Sequence, residues 1–444
     1  RPSAAVSESA SPRRGIGVVR TLTGIVALAG GLVLAVVSAS LPSDAAAGVS
    51  VATVFTFVLA VAMLGPLLIR LVAATIGRLL MLRSATGRLA AAGVSDSASR
   101  LAPVLSSIVL AIALGGSLWF VESSAEHTAT TQSRDGIHAT WVVTPGTAGL
   151  PATAAAAFEH APGVTAVTAI NHGAMFTPSE GLTDITAEGI EGSGTLVDLG
   201  VTTGSLADLR GDTIALDTVT AGDLHLHTGD TFVGWWPDGT PARLRVVATY
   251  RRGLGFASAT VPHDALAAHT GGQDDQIFLA GAKPSTAALE AAAPGAVVLD
   301  ATTYRSALDA NVQQNGWTDR VITLVLLVYS AITAANALVT AGLARRREIA
   351  ALRLAGTTRR QILAMVRREQ VLLLGSALVL GTAIAAATLL PMVKATTGSA
   401  VPYLPPLDLI VLLGGTVALG TIATALPVRR ILRTAPAAAA AARE

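Results

Sequence analysis

Six stretches of the chain are almost purely apolar, and each is close to the roughly 20 residues that an α-helix needs to cross a hydrocarbon core of about 30 Å. We predict transmembrane helices over residues 21–40, 51–69, 101–121, 321–343, 371–391 and 407–428. The long block between the third and the fourth helix mixes polar and apolar positions. The pattern therefore predicts a helical membrane protein with one α+β extracytoplasmic domain of about 190 residues, a size that suits one compact domain.

Within that block the hydrophobic period alternates between that of a helix and that of a strand. One strand is predicted over residues 164–170, and helices are predicted over residues 151–160, 284–293 and 303–314. A hairpin is predicted from strands 224–236 and 242–250, joined by a Pro-Asp-Gly turn. The order of the strands in the sheet cannot be read from this pattern.

The distribution of arginine predicts how the chain crosses the membrane. Arginines cluster before the first span, between the second and third, after the fourth and after the sixth, whereas the other two connections hold one basic residue, Lys394. The positive-inside rule places the arginine-rich segments and both chain ends in the cytoplasm. Residues 124–320, which form the block outside, carry 21 of the 29 acidic residues and only 9 of the 31 basic ones.

These features divide the chain into nine consecutive segments. They are a cytoplasmic N-terminal segment (1–20), a transmembrane hairpin (21–77), a cytoplasmic amphipathic linker (78–100), a transmembrane helix (101–123), the extracytoplasmic domain (124–316), a transmembrane helix (317–343), a cytoplasmic elbow (344–369), two transmembrane helices (370–428) and a cytoplasmic tail (429–444).

The elbow, residues 344–369, has an amphipathic pattern. Ile349, Leu352, Ile362 and Val366 recur at helical spacing beneath a face coated with arginine. A Gly-Thr-Thr sequence at 356–358 divides the segment into two short helices. From periodicity alone, an anchor that binds anionic lipid head groups explains the elbow as well as a protein contact does.

The composition excludes several kinds of chemistry. Only 14% of the residues are charged, against about 25% in soluble proteins, and there is no cysteine for a disulfide, a thiolate metal site or a nucleophile. The basic residues adjoin the spans instead of forming a basic domain, so they do not indicate nucleic-acid binding. The two lysines, Lys283 and Lys394, each follow a residue other than glycine, so the chain has no Walker A loop. We predict no catalytic residue, because serine-hydrolase and zinc-protease motifs are absent too.

One pair of histidines is a candidate for metal binding. His225 and His227 would share one face of the predicted strand, near Asp223 and Asp230 in sequence. A strand face turned to solvent explains the pair equally well, and we predict no metal site.

Other polar residues are given structural interpretations. Asn336 is interpreted as making a hydrogen bond between transmembrane helices. Asp274 with Asp275 and Glu188 with Glu191 are interpreted as solvated charges. Glycines in the spans are interpreted as surfaces for close helix packing.

The elbow also carries a sequence motif. Residues 346–363 read RREIAALRLAGTTRRQIL and closely resemble the signature of the FtsX/MacB-like permeases, the membrane subunits of a class of bacterial ABC transporters. Residues 426–430, Leu-Pro-Val-Arg-Arg, followed by Pro436 resemble the C-terminal ending of that family, and residues 88–114 resemble its opening segment. The resemblance covers residues 88–436 and implies a multi-pass protein of the bacterial cell membrane.

The resemblance implies an ABC ATPase subunit as partner, which would bind ATP and Mg²⁺, so no cofactor is expected in this chain. The ATPase would dock on the elbow, where the implied coupling residues are Glu348, Leu352, Arg353, Gly356, Thr357, Arg360 and Gln361. The first two spans resemble the hairpin that joins the two modules of ten-span family members. The other implied partners are therefore membrane lipid and either a missing N-terminal permease module or a second copy of the chain.

The expected function is that of an ABC transporter permease. It would couple ATP hydrolysis in the separate ATPase to an extracytoplasmic conformational change, for export or extraction of lipoprotein, peptide or amphiphilic substrates. The alternative is a membrane-anchored receptor or scaffold that signals to cell-wall enzymes without transport activity of its own. The pattern of Glu348, Gly356 and Gln361 favours the permease.

Overall fold

A computed structural model of the protein describes residues 17–38, 43–81, 85–146, 149–178, 182–192, 196–344, 349, 353 and 356–433. Six of the described helices are long and apolar enough to cross a membrane, which confirms the predicted fold class. The described α-helices are α1 (Val18–Ser38), α2 (Ser43–Met81), α3 (Ala85–Gly136), α4 (Ala154–Glu159), α5 (Thr218–Asp223), α6 (His263–Thr270), α7 (Thr286–Ala292), α8 (Ala301–Asn315), α9 (Trp317–Ala344), α10 (Arg359–Thr397) and α11 (Pro406–Arg433).

The transmembrane bundle is built around α3. The buried residues of its span, including Leu105, Ile108 and Ile112, pack against α2, α9 and α10. A Cβ at Gly381 of α10 would lie 2.8 Å from the Cβ of Ile112, so the glycine lets the two helices approach closely. By contrast, α9 and α11 have most of their surface outside the bundle.

The helix α3 does not end where its apolar run ends. It continues for four further turns as a polar helix and reaches the α+β domain. There the Ser133 hydroxyl donates a hydrogen bond to the Gly255 carbonyl at 2.8 Å, and the Gly255 N–H donates to Gln132 Oε1 at 3.0 Å. One helix therefore joins the bundle to the domain.

The domain outside the bundle, residues 137–316, is called the outer domain. Its described strands are β1 (Trp141–Thr144), β2 (Leu150–Pro151), β3 (Val164–Thr177), β4 (Thr183–Gly192), β5 (Val201–Gly204), β6 (Thr213–Asp217), β7 (Thr231–Trp235), β8 (Pro241–Tyr250), β9 (Ala259–Pro262), β10 (Gln273–Asp274), β11 (Gln276–Gly281) and β12 (Val297–Asp300). Most of them form one mixed sheet with the order β12-β1-β11-β3-β4-β9-β6-β8-β5, in which β4 pairs with β9 and β6 with β8 in parallel.

The predicted hairpin is confirmed at its turn, but the first half of its first predicted strand is wrong. Strands β7 and β8 pair across the Pro-Asp-Gly turn, but β7 begins at Thr231 and not at residue 224. Leu224, at the end of α5, and Leu226, in the turn after it, both pack onto the core. Their spacing of two residues therefore resembles the apolar–polar alternation of a strand. His225 between them has a positive φ of 55°, which a strand does not allow.

Candidate coupling site

The elbow turns at Gly356. This residue has a φ of +91°, and its N–H donates a hydrogen bond to the Arg353 carbonyl at 3.1 Å. A residue with a Cβ is strained in this left-handed conformation, so a glycine suits the turn. Two residues later Thr358 returns to the extended region and begins α10.

The first turn of α10 is closed by a capping box. The Gln361 N–H donates to Thr358 Oγ1 at 3.4 Å, and the Thr358 N–H donates to Gln361 Oε1 at 2.9 Å. Each side chain thus satisfies a backbone donor that the helix itself leaves free. The predicted coupling residue Gln361 has a structural role here. Thr358 was not among the predicted residues, and its Thr-x-x-Gln spacing is the sequence signal that identifies the cap.

The apolar face of the elbow is buried against the last helix. Ile349, Ile362 and Val366 form a cluster with Val428 of α11. Val428 belongs to the C-terminal segment 426–430, and Ile349 and Ile362 to the motif 346–363. The two segments that carried the resemblance in sequence therefore pack against each other, and the packing fixes the elbow to the end of the bundle.

The opposite face of the elbow is charged and exposed. Arg359 and Arg360 at the start of α10 and Arg367 two turns later are open to solvent, while Arg353 is half-buried. Of the other predicted coupling residues, Glu348 and Leu352 lie outside the described residues. The turn thus presents guanidinium groups beside a fixed apolar base.

From the elbow, α10 runs without interruption to the outer domain. Near its start the Gln370 side chain donates to the Gly420 carbonyl of α11 at 3.0 Å. Its far end closes at Gly398, whose φ is +70°. A Cβ at Gly398 would lie 3.4 Å from Val219 Cγ2 in α5, so this end touches the outer domain.

Other polar contacts hold the spans together on the outer-domain side. Arg320 of α9 forms an ion pair with Glu126 of α3. The Trp119 indole N–H donates to Asp408 Oδ2 of α11 at 3.0 Å. Arg134 near the end of α3 pairs with Asp309 of α8. These contacts connect α3 with α8, α9 and α11 at the side of the bundle that faces the outer domain.

The comparison with protein families bears on these same segments. Residues 320–436, which include the elbow and the C-terminal segment packed against it, match the family model described as FtsX-like permease C-terminal. This part of the chain is therefore similar to the C-terminal region of FtsX-like permeases. With its six membrane-length helices, the chain has the features of a multi-pass membrane protein, as the sequence predicted.

Two further comparisons complete the picture. Among solved structures, the periplasmic region of MacB from Actinobacillus actinomycetemcomitans matches with 14% identity and a TM-score of 0.31, over 40% of this chain and 95% of that chain. No curated protein matches this chain.

Several single-residue interpretations are wrong. The Asn336 side chain is exposed on the surface of α9 and does not lie between the described helices. Glu188 and Asp274, which were interpreted as solvated, are 1% and 2% exposed. His225 and His227 lie in a turn and not on a strand, and His227 is paired with Asp230.

Proposed function

We propose that this permease couples ATP hydrolysis in a separate ATPase subunit to a change in the conformation of its outer domain. The observation that carries the proposal is the path of α10. This helix begins at the capping box of the elbow and ends in contact with α5 of the outer domain. A displacement of the elbow therefore reaches the outer domain through one continuous helix.

The surface of the elbow suits contact with a protein. Arg359, Arg360 and Arg367 can donate to carboxylates of a partner, and arginine forms such contacts in a planar, paired geometry. The base beneath them is rigid because Ile349, Ile362 and Val366 are packed on Val428. Force applied to the arginines would therefore move α10 and α11 together.

We propose that a second polypeptide supplies the energy. Neither Lys283 nor Lys394 follows a glycine, so the chain offers no Walker A lysine to hold phosphates. ATP and Mg²⁺ would be bound by the ATPase subunit, and this chain would supply no catalytic group. As cargo we propose lipoprotein, peptide or amphiphilic molecules taken from the outer face of the membrane.

Co-purification tests the coupling. The full chain is produced with an affinity tag in its native host, and associated proteins that contain a Walker A loop are identified by mass spectrometry. We expect one ABC ATPase to co-elute, and Arg360→Glu to reduce its recovery at least tenfold. Arg243→Glu is the matched control, because Arg243 is an exposed arginine of β8 in the outer domain.

Two outcomes would contradict the proposal. If no ATPase co-elutes with the wild-type chain, the receptor or scaffold is the better explanation. If Arg360→Glu and Arg243→Glu retain the ATPase equally, the elbow is not the docking surface. Monodispersity in gel filtration confirms that each variant is folded.

A further inference from the structure

A histidine of the outer domain is held in a nearly buried position at the start of α6. The His263 side chain is only 4% exposed. A Cβ at Gly189 in β4 would lie 2.9 Å from the His263 Cα, so this glycine lets the start of α6 approach the strand. The imidazole therefore has a fixed place beside the end of β4.

One nitrogen of this imidazole is committed to a buried carboxylate. His263 Nε2 lies 2.6 Å from Asp274 Oδ1, and both side chains are withdrawn from solvent. The arrangement fixes the proton on Nε2 and turns the other nitrogen, Nδ1, away from Asp274. Histidines that ligate metals are commonly oriented by a carboxylate in this way.

The second nitrogen faces two carboxylates from different parts of the fold. Nδ1 lies 3.5 Å from Glu191 Oε2 at the end of β4 and 3.5 Å from Asp264 Oδ1. The three atoms all lie within 4.8 Å of one another. Among the described residues, neither Glu191 nor Asp264 has an arginine or lysine as an ion-pair partner.

These distances fit a shared cation better than direct hydrogen bonds. Good N–H···O hydrogen bonds have donor–acceptor distances of about 2.7–3.2 Å. Two ligands about 2.1 Å from a tetrahedral zinc ion are separated by about 3.4 Å. We propose that His263 Nδ1, Glu191 and Asp264 form a binding site for a divalent transition-metal ion of the zinc type, with Asp274 as the positioning residue.

The chemistry of the three ligands defines the class of ion. An imidazole with two carboxylates suits Zn²⁺, whereas Mg²⁺ and Ca²⁺ prefer oxygen ligands alone. The ion would neutralise two carboxylates that lie together, and water would complete its tetrahedron. It would also cross-link the end of β4 to the start of α6, two elements separated by about seventy residues of chain.

The rival state is an ion-pair cluster without metal. Burial lowers the pKa of His263, but the hydrogen bond to Asp274 and the charges of Asp274 and Glu191 outweigh it, and the net pKa is raised. A protonated imidazole would satisfy the carboxylates but could not bind an ion. Since protons compete with the metal for Nδ1, binding is measured at about pH 8.

Calorimetric titration with Zn²⁺ tests the site. The full-length protein is purified in detergent with a tag that lacks histidine, and it is stripped of metal with a chelator. We expect one Zn²⁺ to bind per chain, with Mg²⁺ binding at least tenfold more weakly. Glu191→Gln should weaken Zn²⁺ binding at least tenfold, and Asp274→Asn about 10–100-fold.

Controls separate metal binding from folding. Glu191 is 57% exposed, so Glu191→Gln leaves the fold intact, whereas a change at buried His263 could disturb it. His227→Gln is the matched control, since His227 lies 3.6 Å from Asp230, is 88% exposed and belongs to no three-ligand cluster among the described residues. The proposal fails if the wild-type chain binds no Zn²⁺, if Glu191→Gln binds it as tightly as the wild type, or if His227→Gln weakens it as much as Glu191→Gln.

Discussion

The ring of His127 stacks on the ring of Tyr403, with 3.8 Å between the ring centroids and an angle of 8° between their planes. His127 lies on the part of α3 above its apolar run, and Tyr403 lies in the connection between α10 and α11. The Tyr403 N–H also donates to Ser124 Oγ at 2.9 Å. The connection that follows α10 is therefore held against α3 as well as against the outer domain.

We expect Tyr403→Ala to loosen this connection, because a stacked pair contributes about 1 kcal/mol beyond the area that it buries. Hydrogen exchange in detergent should be faster than in the wild type at the backbone amide of position 403 and on α3 near Ser124. Tyr329→Ala is the control, since Tyr329 is 71% exposed on α9. Equal exchange rates in the two variants would show that the stack does not hold the connection.

Removing the cap of α10 should destabilise the elbow locally. Thr358→Ala deletes the acceptor for the Gln361 N–H, a change that costs about 1 kcal/mol at a helix start. Hydrogen exchange of the first turn of α10 should rise about fivefold, and recovery of the ATPase should fall. For the exchange measurement, Thr357→Ala provides the comparison, because Thr357 lies just before the cap and makes neither of its hydrogen bonds. The prediction is wrong if Thr357→Ala raises the exchange of this turn more than Thr358→Ala does.

A larger residue at Gly381 should disrupt the contact of α10 with α3. A Cβ there would lie 2.8 Å from Ile112 Cβ, an atom close to the backbone that cannot move aside. We expect Gly381→Val to cost about 2 kcal/mol by overpacking, measured by denaturant unfolding in detergent micelles. At Gly375 a Cβ would meet no atom of another described helix within 4 Å, so Gly375→Val in the same helix should unfold like the wild type.

The outer domain contains a carboxyl group that titrates near neutral pH. Burial raises the pKa of Glu188 to about 7, although the charge of His172 and the hydrogen bond donated by Thr260 lower it. The usual pKa of about 4.5 applies in the unfolded chain. Between these two values the folded state holds a proton that the unfolded state has released. The free energy of unfolding should therefore fall as the pH rises through this interval, by up to about 3 kcal/mol.

The substitution Glu188→Gln tests this assignment, since a glutamine cannot ionise. Thermal unfolding between pH 5 and pH 8 should show a weaker loss of stability with rising pH than in the wild type, and the variant should be the more stable protein at pH 8. Asp184→Asn removes an exposed carboxylate of the same strand and should leave the slope unchanged. A slope in Glu188→Gln equal to that of the wild type would contradict the raised pKa.

The spans could be predicted from the sequence because the bilayer selects for a single local property, apolar length. The same signal underestimates the length of α10. This helix begins at Arg359 and ends at Thr397, well beyond the apolar residues 371–391 at both ends. Hydropathy detects only the part of a helix that lies in hydrocarbon. The capping box of Thr358 and Gln361 marks the true start, and that motif is legible in the sequence.

The outer domain was less predictable because its decisive contacts are distant in sequence. The parallel pairing of β4 with β9 brings Glu191 beside His263, and no local pattern encodes it. The same pairing places Glu188 opposite Thr260 in the interior, and Asp274 is buried against His263. Leu224 and Leu226 mimic a strand because a turn can also direct alternate side chains to a core.

Under the proposed coupling, the uninterrupted course of α3 would act as a long lever arm. From Ala102 to Gly136 the helix rises about 50 Å, so a change of about 10° in its inclination swings the far end by about 9 Å. A displacement of one or two ångströms near the fixed end of the helix would thus become several times larger at its Gly136 end. A motor that moves the base only slightly could still reshape whatever surface the tip carries.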